Sequence, residues 1–419
     1  MTKELDNARR PAATGLGIIF LIVVIDLLGF GLIIPLLPFY VDRFHASALL
    51  VTLLFSIFSI CQFVAAPFLG LISDRWGRKP VLVFSQLGSV AGYLLLGWAS
   101  IHNWQNLTLG LLTIYLSRVI DGLSGGNIST AQAYIADVTS AKDRAKGMGM
   151  LGAAFGIGFS VGPAMGGLMT SWKGPAAPAF AAAAMSLLAA VLSALRLKEA
   201  RTNAEVESVA WLHPRRFLPV LRNSLLVQTN IVWFIAMTAF VMMDSTIALF
   251  LKDIFQFNEA RVGWYFLFIG AIIVVVQGGL VGRLSRHIGE GTLCVIGLFC
   301  VAAGSLVTAG SARMPLLVIL AVGGAIHAFG RSLFQPSISA LVSRNSPENL
   351  QGTSLGLFQG VGTLGRVIGP VIAGLVYAHH LTLPWIVGAL LLVVAAIWML
   401  TLRPPAYISV ASAGQPGEL

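Results

Sequence analysis

Charge is what this sequence most lacks. Only 11% of its 419 residues are Asp, Glu, Lys or Arg, against about 25% in soluble domains, which excludes both an ordinary soluble enzyme and a disordered chain. Cysteine is scarce too: Cys61, Cys294 and Cys300 each sit in an apolar run without CxxC or His spacing, so neither a disulfide framework nor a structural zinc site is expected. The seven histidines are scattered apart from the doublet His379-His380 in a loop, and no metal site is read from it. A GxxxxGK[ST] loop, a nucleophile paired with a base and a metal cluster are all missing, which argues against an ATP-driven pump and an enzyme.

What is present in excess is apolar surface. Hydrophobic residues make up 57% of the chain and the mean hydropathy is +0.84; at about 20 residues per crossing this stock furnishes about twelve bilayer spans. The net charge of +10 could suggest nucleic acid, but in a helical membrane protein excess Lys and Arg collect in cytoplasmic loops, and no nucleic-acid partner is expected. Apolar runs cut by Gly, Pro and charge place spans at 16–40, 48–71, 80–100, 107–136, 145–170, 177–196, 222–251, 260–283, 290–310, 315–340, 352–377 and 383–402. The first follows Lys3, Arg9 and Arg10 like a signal peptide, yet runs past a usual apolar core and lacks a cleavage site; it reads as a retained helix. With both termini inside, most of the 27 Lys and Arg fall on the cytoplasmic side, against Arg43, Lys173, Lys252, Arg261 and Arg313 outside.

The longest hydrophilic stretch between spans divides them six and six. The expected organisation is a cytoplasmic tail at 1–15, a six-helix bundle at 16–196, a cytoplasmic central loop at 197–221 (a solvated linker or an amphipathic surface helix), a second six-helix bundle at 222–403 and a cytoplasmic tail at 404–419. The halves repeat. Gly162-Pro163 and Gly167 recur in span 11 as Gly369-Pro370 and Gly374, Arg118 has a counterpart in Arg331, and the loop GLISDRWGR after span 2 has a worn echo, GRLSRHIG, after span 8. The nearly constant offset indicates duplication, an architecture known among transporters. The fold class expected is therefore all-α and integral to the membrane, twelve transmembrane helices in two pseudo-symmetric six-helix bundles.

Three acids lie inside spans: Asp26, Asp121 and Asp244. Such residues are tolerated where they face a watery cavity, pair, or bind a proton. Asp26 stands beside Gly29 and Gly31, a weak point in its helix; Asp244 lies in span 7, the positional equivalent of span 1. Both are candidates for proton coupling and for lining a substrate cavity, with structural hydrogen bonding as the alternative. Asp121 is three residues after Arg118 on one helix face, so a local ion pair competes with a proton-carrying role. Arg366 could orient an anionic substrate or pair with a carboxylate, whereas Arg331 reads as a helix-positioning residue. Gln62, Asn127, Gln132, Asn230, Gln277, Gln335 and Gln359 could line the pathway, or each make an interhelical hydrogen bond. In span 5, Gly152, Gly156, Gly158, Gly162, Gly166 and Gly167 leave a groove for a close-packed helix, bent at Pro163. The literal GxGxxG of Gly147, Gly149 and Gly152 lacks the preceding strand that a dinucleotide site needs.

These motifs together resemble the major facilitator superfamily. Gly70-xxx-Asp74-Arg75-x-Gly77-Arg78-Lys79 is similar to its loop 2–3 signature, Arg118-xxx-Gly122 to its second motif, and the span 5 stretch from Gly156 through Gly158, Gly162-Pro163, Gly166 and Gly167 to the antiporter motif of its drug:proton antiporter branch. Asp26-xx-Gly29-x-Gly31-xxx-Pro35-xx-Pro38 resembles the tetracycline-efflux type. The resemblance implies a gating latch of Gly70, Asp74, Arg75, Gly77, Arg78 and Asp137, in which Asp74 caps span 11 and Arg78 bridges Asp74 to Asp137. It implies that Arg118 tunes proton transfer at Asp26, Asp121 or Asp244. By the same resemblance, the chain would act as a monomer in the bacterial inner membrane and export an amphiphilic, drug-like small molecule in exchange for protons, with the proton as coupling ion and no cofactor. Two departures stand out. Arg286 occupies the place of Asp74 in the second half, and Gly92 precedes Tyr93 where the tetracycline pumps carry an acid. The alternatives are a proton-coupled or facilitative carrier of a metabolite such as a sugar, siderophore or organic acid, and a non-transporting receptor or scaffold.

Overall fold

The computed structural model describes residues 2–42, 44–125, 127–139, 141–200, 218–346 and 351–402, with the side chains of 2–14, 42, 127, 141–149, 152, 286 and 352 outside that description. The C-terminal tail and most of the central loop therefore lie outside the described residues, whereas the backbone of the expected N-terminal tail continues the first helix back to Thr2. Among those described, all regular structure is helical. Twelve helices are long and apolar enough to cross a membrane: α1 (Gly15–Val41), α2 (Ala48–Trp76), α3 (Arg78–Ile101), α4 (Leu107–Val138), α5 (Ala153–Lys173), α6 (Ala177–Arg196), α7 (Ser224–Phe255), α8 (Glu259–Ser285), α9 (Glu290–Gly310), α10 (Leu317–Asn345), α11 (Thr353–His379) and α12 (Leu383–Thr401). This is the expected integral membrane fold.

Local chemistry starts several helices where the apolar runs begin. Ser47, Asn106, Asn223 and Asn258 each accept backbone N–H bonds from the first turns of α2, α4, α7 and α8, satisfying donors a helix start otherwise leaves orphaned. Exposed Trp76, Trp98, Trp172 and Trp264 stand near span ends, where amphipathic indoles favour the membrane–water boundary. Three spans are irregular. Pro35 tightens α1 into a 3-10 turn at Ile34–Leu36, α4 is interrupted at Gly125, and α8 widens into a π turn at Val276–Leu280. The weak point expected at Gly29 and Gly31 is not there, because both glycines serve packing. A Cβ on Gly31 would run into the backbone of Gly158 and Gly162, and Gly29 faces Ala182 of α6.

Glycine sets the packing of both halves in the same way. Added Cβ atoms at Gly158 and Gly162 would lie 2.7 Å from Leu27 and 2.8 Å from Gly31, so α5 meets α1 backbone to backbone. At the repeat positions in α11, Gly365 and Gly369 meet Met237 at 2.9 Å and the Thr238 carbonyl at 2.7 Å on α7. Gly166 completes the α1 contact at Leu32, and Gly167 turns instead to Glu259 and Ala260 of α8. Its counterpart Gly374 turns to Leu49 and Thr52 of α2. The principal contacts between the halves are accordingly α5 with α8 and α2 with α11.

Those two seams are tight at one end only. Between α5 and α8, Cβ atoms at Gly263 and Gly270 would collide with Pro163 and Ser160, while Gly156 would come no nearer than 3.8 Å to Val274. Beyond, towards the α8–α9 loop, Gly278, Gly279 and Gly282 meet nothing within 4 Å. The α2–α11 seam follows suit: Gly374 is tight, Ser56 Oγ donates to the Val367 carbonyl at 2.8 Å, and Gly70, Gly356 and Gly360 face open space. The halves thus diverge towards the face that carries the basic α2–α3 loop and leave a vestibule there. Gly162→Leu is expected to overpack the α1–α5 contact and cost about 1–3 kcal/mol or more; Gly360→Ala should be neutral. Thermal unfolding of the two purified variants in detergent checks the pair.

Candidate functional site: paired charges in and beside the vestibule

The α2–α3 loop is a knot around Arg78. Its guanidinium holds Asp74 at 2.6 Å and Asp137 at 2.9 Å, and donates to Ser73 Oγ at 2.6 Å. Arg78 thus bridges Asp74 to Asp137, tying the end of α2 to the end of α4. Gly77 turns the chain with φ +100°, ψ 159°, a conformation only glycine adopts easily. A Cβ there would lie 2.7 Å from the carboxyl carbon of Glu199. That carboxylate, arriving from just beyond α6, accepts the backbone N–H groups of Arg78 (2.8 Å) and Lys79 (3.1 Å) and so caps α3, where helix-dipole and orphan donors favour an anion. Glu199 was not expected from the sequence: it lies 121 residues from Arg78, too far for any local pattern. The cap that Asp74 would place on α11 borders residues 347–350, which lie outside the described residues. Arg75 is exposed. The side chain of Arg286 is also outside the description, but the second half has its own link. Glu290 at the start of α9 meets Arg344 at the end of α10 at 2.9 Å, the Arg78–Asp137 pair with its charges exchanged.

Inside the first half, Arg118 and Asp121 form an ion pair at 3.1 Å with 1% and 3% side-chain exposure, the local pair weighed above. Hydroxyls of Ser89 and Tyr93 also donate to Asp121, and the Arg118 guanidinium lies 5.6 Å from the Tyr93 ring centre. Arg118 Nη2 is buried without a partner. Helix α4 presses so closely here that a Cβ on Gly92 would stand 3.0 Å from the Ser117 carbonyl and 3.1 Å from Asp121; an acid at 92 has no room. Asp26 is half-buried on α1 within electrostatic reach of Tyr93.

In the second half the pair spans two helices. Arg331 Nη1 on α10 donates to both oxygens of Asp244 on α7 at 2.8 Å, and the guanidinium covers the Phe240 ring at 5.2 Å. Exposures of 26% for Arg331 and 42% for Asp244, in the middle of a largely buried span, open this pair to the vestibule. Arg331 is therefore the ion partner of Asp244, a correction to its reading as a mere helix-positioning residue; the periodicity of α10 carried no sign of a partner on α7. One turn away, His327 meets Ser305 Oγ through Nδ1 at 3.2 Å and feels both charges. It too went unnoticed in the sequence, although its i−4 spacing from Arg331 was a usable signal.

Arg366 on α11 has no carboxylate partner among the described residues. Its Nη2 donates to Thr363 Oγ1 at 2.8 Å and its Nε is buried and unbonded, although an isolated cation in a span costs about 2.5–3.5 kcal/mol on insertion scales. Of the candidate pathway amides, Gln277, Gln335 and Gln359 are exposed, Gln277 on the π turn of α8. Gln62 Nε2 instead donates to the Gly125 carbonyl at 2.9 Å, stapling α2 to the break in α4. Asn230 is buried and bonded one turn back to Leu226, so it does not line the vestibule in this structure. The side chain of Asn127 is outside the described residues. No grouping of three metal-ligating side chains occurs among the described residues, and the cysteines are unbridged.

A two-part helical membrane protein with ion pairs inside each half, in and beside a vestibule, has the build of a solute transporter. The chain belongs to the Major Facilitator Superfamily, whose profile matches residues 19–319 and 280–417. It is 30% identical to the tetracycline resistance protein, class H, of Pasteurella multocida, over 89% of this chain and 92% of that one. It is also 30% identical to multidrug resistance protein 2 of Bacillus subtilis (strain 168), over 89% and 91%. The solved nucleoside transporter NupG superposes with a TM-score of 0.74 at 13% identity, covering 93% of this chain and 99% of that one, a likeness of fold. The substrate is a small molecule. Glu199→Ala is expected to cost about 1 kcal/mol by uncapping α3, and Glu199→Gln less; the midpoint of thermal unfolding reports both.

Proposed function

We propose that the chain exports an amphiphilic, drug-like small molecule in exchange for protons, by alternating access of one vestibule. The observation that carries this reading is the Asp244–Arg331 pair, with both carboxylate oxygens on one guanidinium nitrogen, open to the vestibule in mid-membrane. A proton arriving at Asp244 neutralises the carboxylate and leaves Arg331 uncompensated, so the packing of α7 against α10 is coupled to protonation. Asp26 would act likewise on α1. The sealed Arg118–Asp121 pair, held by Ser89 and Tyr93, would tune the field around Asp26 rather than meet substrate. Gln277, Gln335, Gln359 and Arg366 would contact cargo.

Alternating access would swap the seams. In the state seen here, α5–α8 and α2–α11 are closed at the end away from the α2–α3 loop. In the other, the Asp74–Arg78–Asp137 knot would dock on the start of α11 and close the basic face. Excess cations on that face support a cytoplasmic location for it and for both termini, in a bacterial inner membrane. The vestibule lies between two halves of one chain, so a monomer suffices. The names of the curated relatives support efflux of drugs, while the crowding at Gly92 weighs against tetracycline itself.

The test uses proteoliposomes containing an internal pH dye and an imposed proton gradient, with ethidium and carboxyfluorescein as probes. Export of a probe should dissipate the gradient, and both Asp26→Asn and Asp244→Asn should abolish gradient-driven export while inserting normally. Undiminished gradient-driven export in both variants would overturn the coupling role, and movement of probe without protons would favour a facilitative metabolite carrier. Movement of neither probe counts against drug efflux.

A further inference from the structure

Helix α11 offers three arcs. Gly362, Gly365 and Gly369 press on α7; Val367 and Gly374 meet α2; Leu364, Ile368 and Leu375 are exposed on the outer side. At about 100° per residue, Gln359, Thr363 and Arg366 fall on the remaining arc, between α7 and α2, which looks into the vestibule. Among the described residues, Arg366 is a cation on this arc without a carboxylate partner. Of its nitrogens, Nη2 donates to Thr363 and Nε is buried and unbonded, so the guanidinium is short of acceptors among the described residues.

The duplicated position on α5, at the offset that relates Gly158 to Gly365 and Gly162 to Gly369, is Phe159. It lies on the matching arc, between the α1 contacts of Gly158 and Gly162 and the α8 contacts of Ser160 and Gly167. Phe159 is exposed, and its ring belongs to a cluster. Phe30 of α1 stands 5.8 Å from it edge-on and 5.3 Å from Phe58 of α2, and Phe155 stacks on it at 6.2 Å. One half therefore presents aromatic faces where the other presents a guanidinium without a counter-charge. Because the pseudo-symmetry places a ring where Arg366 stands, the cation is not part of the shared scaffold; the scaffold is held by glycines that both halves keep.

We propose that the vestibule selects aromatic organic anions, with the ring system against Phe30 and Phe159 and the acidic group on Arg366. Guanidinium and carboxylate match in charge and in planar hydrogen-bond geometry, and a ligand acid would supply the counter-charge that the fold withholds. This rests on the transporter reading above and narrows its cargo.

Equilibrium binding to the purified full chain, measured by calorimetry, tests it with naphthoate, its neutral amide naphthamide, and naphthylmethylammonium. Naphthoate should bind about tenfold or more tightly than the amide, and the ammonium weakest. Arg366→Gln should bring naphthoate down to the amide without changing the amide, Arg366→Lys should keep part of the preference, and Phe159→Leu should weaken acid and amide alike. Equal binding of acid and amide, preference for the ammonium, no binding of naphthoate at millimolar concentration, or an acid preference that survives Arg366→Gln each overturns the proposal. If Arg366→Gln does not fold, the acid-to-amide ratio of the unaltered chain and of Arg366→Lys decides. No gradient enters this measurement. Loss of the acid preference alongside proton-driven export removes only the anion assignment, and an acid preference without proton movement removes only antiport.

Discussion

A charge held in mid-membrane must find its opposite, and much of this structure is the answer to that requirement. Arg118 and Asp121 settle it within one helix turn, sealed from solvent and supplemented by Ser89 and Tyr93. Asp244 and Arg331 settle it between two helices, at the edge of a vestibule. The first arrangement is fixed because neither member can reach water. The second is accessible, with 26% of the Arg331 and 42% of the Asp244 side chain exposed. Arg366 meets no carboxylate among the described residues; its guanidinium donates to Thr363 and keeps Nε buried and unbonded.

A second constraint on the halves is close backbone approach. Glycines at equivalent positions bring α5 onto α1 and α11 onto α7, so each half is packed within itself, while Gly167 and Gly374 make contacts between the halves. No side chain longer than hydrogen fits at several of these points, which makes the within-half seams stiff. The between-half seams are tight only at one end.

The loop knot links these two themes at the membrane face. Arg78 gathers Asp74 and Asp137, and Glu199 anchors the start of α3 from beyond α6, so the polar ends of α2, α3, α4 and α6 move together. The second half builds its corresponding link with Glu290 and Arg344. Duplication preserved the position of the ion pair but not which helix carries which sign, since Coulomb attraction is indifferent to the exchange.

The sequence by itself determined the membrane class, the twelve spans, the six-and-six repeat and the glycine groove of α5, because hydrophobic length and residue spacing along a single helix are local properties. It also announced which charges needed explaining, since an acid or a base in an apolar run is conspicuous. Only the tertiary structure decided who answers whom. Arg331 finding Asp244, Glu199 finding Gly77 and Arg78, Gln62 turning to Gly125, and Arg366 finding no acid are contacts between residues far apart in the chain. They depend on the rotation of each helix about its axis, which is set by backbone contacts such as Gly31 on Gly162 and Gly369 on Thr238. A linear pattern carries the period of a helix; only its neighbours choose the direction in which it faces.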